Sequence, residues 1–308
     1  GRSAHQALAS IWEQTMDCRG GWILDVDVRK FFDNLGHGHL RTFLQQRVRD
    51  GVLLRLIGKW LKAGVMEEGI ISYPDTGSPQ GGVVSPMLSN VFLHYVLDLW
   101  FEQEVRPRLR HRAFLVRFAD DFVVGFRDQR DAQCVMEVLP KRFGKYGLTI
   151  HPDKTRLVSF RAPSSTATGR NRPAKRPGTF DFLGFTHFWA RSRRGQWIVK
   201  RKTASNRFSR AVRSIDVWCR KNRHEPIGQQ QHKLNQKIRG HCAYYGNTGN
   251  GPALAHFYHA VRRCWQKWLN RRNRQRQMTW EVFVRILERY PLAHVRTVHS
   301  VYNRVAKL

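Results

Sequence analysis

Carboxylates set inside apolar, strand-forming stretches constrain this chain more than any other feature. Residues 22–28 read WILDVDV, β-branched and apolar except for Asp25 and Asp27. Two further apolar runs, Phe114–Phe118 and Phe122–Phe126, flank Ala119-Asp120-Asp121, a pattern that predicts a β-hairpin with the acids at its turn. A carboxylate on a buried-type strand is costly unless a counter-charge meets it. Strand alternation puts Asp25 and Asp27 on one face. If the hairpin pairs beside that strand, three or four carboxylates converge into a hard-oxygen site suited to Mg²⁺. Each acid pair alone has other readings. Asp-x-Asp also occurs in metal-dependent sugar transferases, and Asp-Asp at a turn is commonly just solvated.

Charge narrows the choice. The 308 residues carry 54 Lys/Arg against 23 Asp/Glu, a net of +31. Residues 1–160 hold 22 Lys/Arg and 18 Asp/Glu, while residues 161–308 hold 32 and 5, so the halves differ as +4 and +27. This places chemistry in the first half and grip on a polyanion, nucleic acid foremost, in the second. The five cysteines (18, 134, 219, 242 and 264) are scattered with no Cys-x-x-Cys, which fits reduced thiols in a cytosol rather than a disulfide framework. His241-Cys242 lacks the paired spacing of a zinc site. No apolar run reaches the roughly 18 residues of a membrane span, so no membrane partner is expected.

Between the halves, residues 161–178 are rich in Pro, Gly, Ser, Thr and Arg and read as a linker. In the first half, helices are expected over 39–49, 52–63, 84–105 and 129–146, with a loop over 64–79. Further strands are expected at Leu157–Phe160, Phe180–Phe188 and Trp197–Val199. The second half reads as helices over 205–221, 229–245, 253–272 and 279–290. Each has an apolar stripe, with Leu234, Ile238 and Tyr245, and Trp265, Trp268 and Leu269, as bundle core. The Arg/Lys faces are the nucleic-acid candidates.

Five ordered segments carry a family resemblance. Asp27-Val28-Arg29-Lys30-Phe31-Phe32-Asp33 resembles the D-x-K-x-F-F-D segment of reverse transcriptases, and residues 77–86 (GSPQGGVVSP) resemble their G-x-P-Q-G-x-x-x-S-P segment. Phe118-Ala119-Asp120-Asp121 resembles the aromatic-Ala-Asp-Asp box, with Phe for the usual Tyr. Residues 147–155 (GLTIHPDKT) and Phe182-Leu183-Gly184-Phe185 resemble the G-L-x-L-x-x-x-K-T and F-L-G-F segments. Within that family, residues 1–8 (GRSAHQAL) resemble the segment following the fingers of group II intron reverse transcriptases. Residues 234–240 (LNQKIRG) with Tyr244-Tyr245 resemble their maturase-specific thumb, domain X.

The resemblance implies an α+β fold: a right-hand polymerase palm over 1–200, with antiparallel sheet and packed helices, then an α-helical thumb over 201–308. It implies that Asp27, Asp120 and Asp121 are catalytic and, with Val28, hold Mg²⁺. Val28, Phe32, Gln80, Gly81 and Lys154 are implied to contact substrate, Phe32 by packing under the incoming sugar and disfavouring a 2′-hydroxyl. The implied activity is RNA-directed DNA synthesis in a bacterial cytosol. The implied partners are an RNA template, intron RNA, a DNA primer or target, and deoxynucleoside triphosphates; oligomeric state is left open. Fingers are expected to be missing from this stretch, which puts activity of the piece alone in question, and no DNA endonuclease domain is expected. Alternatives are an RNA-binding maturase without polymerase activity and a reverse transcriptase of phage defence.

Overall fold

A computed structural model describes residues 3–61, 65–67, 70–72, 84–163, 177–272 and 278–300. The chain divides into two compact units, Gly1–Leu183 with Arg191–Ile198, and Gly184–Ala190 with Val199–Leu308.

In the first unit, helix α1 (Ala4–Asp17) starts at a capping box, Ser3 accepting from the Gln6 N–H while Gln6 bonds back to the Ser3 N–H. It buries Leu8 and Ile11 and lies against the first strand of the hairpin described below. Strand β1 (Trp22–Val26) follows after Gly20, which has φ +76° and would place a Cβ 2.0 Å from the Phe160 carbonyl oxygen, so only glycine fits there. The strand expected to run to Val28 stops at Val26. Beyond Asp27, β2 (Val28–Arg29) changes partner. Helices α2 (His37–Gln45) and α3 (Gly51–Leu61) come next. The loop expected over 64–79 instead contains an antiparallel pair, β3 (Val65–Glu67) and β4 (Ile70–Ser72). Alternation is too short to show in three-residue strands.

Helix α4 (Ser85–Leu93) begins with Pro86 in its first turn. The helix expected over 84–105 is present but widens into π-helical turns at His94–Asp98 and Phe101–Val105, where Leu99 and Arg106 donate to carbonyls five residues back. Arg142 donates to the Tyr95 and Val96 carbonyls within the first widened turn. Strands β5 (Ala113–Phe118) and β6 (Asp121–Phe126) form the expected hairpin. Helix α5 (Gln129–Gly144) is capped by Asp128. Strand β7 (Thr149–Ile150) pairs with β2, and β8 (Arg156–Ser159) with β1. The sheet order is β5-β6-β1-β8. Leu24, Val26, Phe122, Val124 and Phe126 on one face of this sheet join Phe92, Val96 and Leu97 of the widened helix and Leu139 and Phe143 of α5 in one core. Strand β9 (Phe180–Phe182) buries both phenylalanines.

Strands β10 (Phe185–Arg191) and β11 (Trp197–Thr203) are joined by a turn closed by the Ser192 N–H donating to the Gln196 carbonyl. The second unit is otherwise helical: α6 (Ser205–Lys221), α7 (Ile227–Tyr245), α8 (Gly251–Asn270) and α9 (Trp280–Arg289). These lie close to the expected ranges. Leu234, Ile238, Trp265, Trp268 and Leu269 form its core, as the helical spacing predicted. Trp265 donates to Gln230 at 3.0 Å and Trp268 to Asp216 at 2.9 Å, so neither indole N–H is buried without a partner.

His241 of α7 stacks on Phe257 with ring centroids 3.7 Å apart. Burial lowers its pKa to about 4 from 6.5. A depressed histidine pKa contributes stability above the unfolded value, and that stability is lost as pH falls from 6.5 towards 4. His241→Gln should therefore lose less melting temperature than the parent protein between pH 7 and 4.5; parallel thermal melts check this.

Candidate active site

The site grows from the partner change at Asp27. Its N–H donates to the Thr155 hydroxyl at 3.4 Å, and its carbonyl accepts from the His151 N–H at 2.8 Å. The residue is thus held outside both ladders while β1 pairs with β6 and β2 with β7. Val26 pairs with Phe122. The same register carried one residue further sets Asp27 opposite Asp121, on the face of the sheet that bears Asp25. Asp121 pairs with Phe118, closing the hairpin through Ala119 and Asp120. Ala119 has φ 55° while Asp120 keeps a negative φ, the sign pattern of a type II′ turn. A non-glycine residue there costs about 1–2 kcal/mol, so the surroundings must hold this turn in place.

Counter-charges come from the β7–β8 region. The Lys154 ammonium lies 3.2 Å from an Asp27 carboxylate oxygen, and the Arg156 Nε lies 3.1 Å from Asp25. Asp25 is mostly buried, and that burial raises its pKa to about 6 even though Arg156 pulls the other way; Asp181 and Asp121 add repulsion. Carboxylates therefore crowd this end of the sheet, and an ammonium already stands at one of them. An oxygen donor set of this kind fits a hard cation.

The structure brings Asp27, Asp121 and Lys154 together with Asp25, and places Asp120 in the adjoining turn. Val28 sits on β2 paired with Ile150. Phe32 is half-buried, its ring 5.3 Å from and edge-on to that of Phe31, which is in the core. Gln80 and Gly81 lie outside the described residues. Arg156 and Asp181 were not anticipated, and Thr155 stood in the GLTIHPDKT segment without a role assigned to it. Arg156 meets Asp25 through a register between segments 131 positions apart, which no local pattern encodes. Among the described residues, a second group, His111, Asp128 and Asp131, offers ligand atoms within 4.8 Å of one another and could hold an ion. Its carboxylates already accept backbone N–H groups, Asp128 from Arg130 and Asp131, and Asp131 from Arg110 and His111.

Residues 2–187 match the model of the family described as reverse transcriptase (RNA-dependent DNA polymerase). The chain belongs to the reverse transcriptase family. It is similar to an uncharacterized 91 kDa protein in the cob intron of Schizosaccharomyces pombe (24% identity, 86% of this chain, 39% of the relative). It is also similar to the group II intron-encoded protein LtrA of Lactococcus lactis (25%, 83% of this chain, 53% of the relative) and to protein YkfC of Escherichia coli (36%, 51% of this chain, 49% of the relative). The first two of these relatives are named as intron proteins, the second as a group II intron-encoded protein. The chain spans about half the length or less of these curated relatives.

The Asp25–Arg156 pair is open to direct measurement. A double-mutant cycle with Asp25→Asn and Arg156→Gln, read by urea denaturation at pH 8, should give a coupling of about 1 kcal/mol, modest because Arg156 is half exposed. Arg156→Gln alone should destabilise, and adding Asp25→Asn should recover most of the loss.

Proposed function

We propose that this chain copies RNA into DNA, with Asp27, Asp120 and Asp121 as the catalytic acids. The observation that carries this reading is the position of Asp27 at the junction of β1 and β2, one residue beyond the Val26–Phe122 pair and so beside Asp121, with the Lys154 ammonium 3.2 Å from its carboxylate. Asp27, Asp120, Asp121 and the carbonyl of Val28 would hold Mg²⁺, which supplies charge neutralisation at the attacking and leaving oxygens. The primer 3′-hydroxyl attacks the α-phosphate of a deoxynucleoside triphosphate and pyrophosphate leaves. Lys154, released from Asp27, is within reach of phosphate charge. Gln80 and Gly81 belong to the nucleotide or template contact, and Phe32 to the sugar contact.

Residues 1–200 are the palm and 201–308 the thumb in this reading. The thumb's partner is RNA, the intron's own and the primer–template duplex. The excess of basic residues after 160 supports this, because contacts to phosphate dominate such binding. A splicing role through that binding coexists with polymerisation. Among the described residues, no helix is long and apolar enough to cross a membrane.

Primer extension on an annealed RNA template with deoxynucleotides and Mg²⁺ is the test. The parent should extend, and Asp120→Asn/Asp121→Asn should lose at least about a thousand-fold in rate. Silence from the parent, persisting when adjoining coding sequence is restored, would leave only the RNA-binding role. In the same assay, Phe32→Val should admit ribonucleotides, eroding sugar discrimination by about 10- to 100-fold; unchanged discrimination would remove Phe32 from the sugar contact.

A further inference from the structure

The turn carrying Asp120 is braced by a side chain that none of the motifs marks. Arg117 is the penultimate residue of β5, and its side chain is only 13% exposed. Its guanidinium donates through Nε and Nη2 to both oxygens of Asp98, at 2.7 and 2.6 Å. Through Nη1 it also donates to the Asn90 side-chain oxygen at 2.8 Å and to the Ala119 carbonyl at 2.9 Å. One rigid fork thus ties the left-handed residue of the turn to two points on the long helix.

Those two points share a face because of the helix's shape. Asn90 lies in α4 and Asp98 at the end of the first π-helical turn. Eight residues of regular α-helix overshoot two full turns by about 80°. The wider π turn takes up that excess and brings Asp98 into line with Asn90. Asp98 is also near His94 Nδ1, at 3.6 Å, but the paired, short contacts are to Arg117. A bidentate arginine–carboxylate pair fixes orientation as well as distance, which a lysine cannot reproduce.

We propose that Arg117 is a positioning residue: it holds the Ala119–Asp120 turn at the height and tilt that the acids need, using the π-helical turn as its anchor. The inference rests on the polymerase reading of the site. It goes beyond that reading by assigning the turn's geometry to the Arg117–Asp98–Asn90 brace rather than to the hairpin itself. Substrate is not touched, so the effect should fall on metal binding and turnover and spare primer–template binding.

The test compares Arg117→Lys and Asn90→Ala with the parent and with Asp120→Asn/Asp121→Asn. Four quantities are read: melting temperature, Mn²⁺ affinity by electron paramagnetic resonance without substrates, kcat for deoxynucleotide addition, and KM for primer–template. Lysine can keep the charge pair with Asp98 but cannot also reach Asn90 and Ala119. Arg117→Lys should melt within about 5 °C of the parent, lose about 100-fold in kcat as expected for an ångström-scale misplacement, and leave KM within about two-fold. Its Mn²⁺ affinity should drop about ten-fold, and Asn90→Ala should shift the same two quantities less. Parent-like kcat and Mn²⁺ affinity in Arg117→Lys would overturn the proposal while leaving the polymerase reading standing. So would losses that track melting temperature and KM alike. A parent that neither extends primers nor loses Mn²⁺ affinity through Asp120→Asn/Asp121→Asn would sink the polymerase reading and this inference with it.

Discussion

The antiparallel register between β1 and β6 is the constraint on which the rest depends. It joins residues about a hundred positions apart and ends with Val26 on Phe122, one residue short of Asp27 and Asp121. A slip of one residue would turn every side chain of β1 to the other face. Leu24 and Val26 would leave the core, and Asp25 and Asp27 would enter it. The apolar face therefore enforces the polar one. Phe122 and Val124 are 1% exposed and Leu24 0%, so the sheet cannot relax to let the carboxylates drift apart. The repulsion that Asp25 meets from Asp181 and Asp121 is tolerated because the packing beneath it outweighs it.

The same economy explains the irregular backbone. A regular strand through Asp27 would bury its N–H and carbonyl in a ladder, and a regular helix through His94 would turn Asp98 away from Asn90. Both elements break where a side chain is needed, and nearby groups take over the freed hydrogen bonds. Thr155 and His151 serve Asp27, and Arg142 serves the Tyr95 and Val96 carbonyls. The local departures are satisfied rather than left open, as buried backbone groups require.

Much of this was legible in the sequence, and the reasons divide cleanly. Long periodic stretches announced the helices of the second unit, and alternating apolar runs announced the β5–β6 hairpin with its acids at the turn. Five ordered motifs identified the family, which the match over residues 2–187 bears out. Three things were hidden. The β3–β4 pair is too short to show a period. The π-helical turns share the apolar composition of an α-helix and differ only in which carbonyl each N–H reaches. The pairing of Arg156 with Asp25, and of Arg117 with Asp98 and Asn90, depends on contacts distant in sequence. Arg117 stood next to the aromatic-Ala-Asp-Asp box, yet nothing local distinguished it from any other strand arginine.

The cations around the site differ in a way that suits their tasks. Arg117 is well buried and grips Asp98 with two short bonds, and Arg156 holds an Asp25 that is itself only 21% exposed. These arginines join groups that must not move. Lys154 differs in its partner: at 60% exposure it is little more open than Arg156 at 52%, but the Asp27 carboxylate it meets is 42% exposed against 21% for Asp25. An ion pair so open to water is worth at most about 1 kcal/mol, and a flexible ammonium gives up its partner with little rearrangement. Asp27 can therefore give up Lys154 without disturbing the sheet that aims it. Asp27 is thus the acid of this cluster with the loosest partner, because Asp25 and Asp98, each less exposed, are held by arginines whose planar forks fix orientation as well as distance.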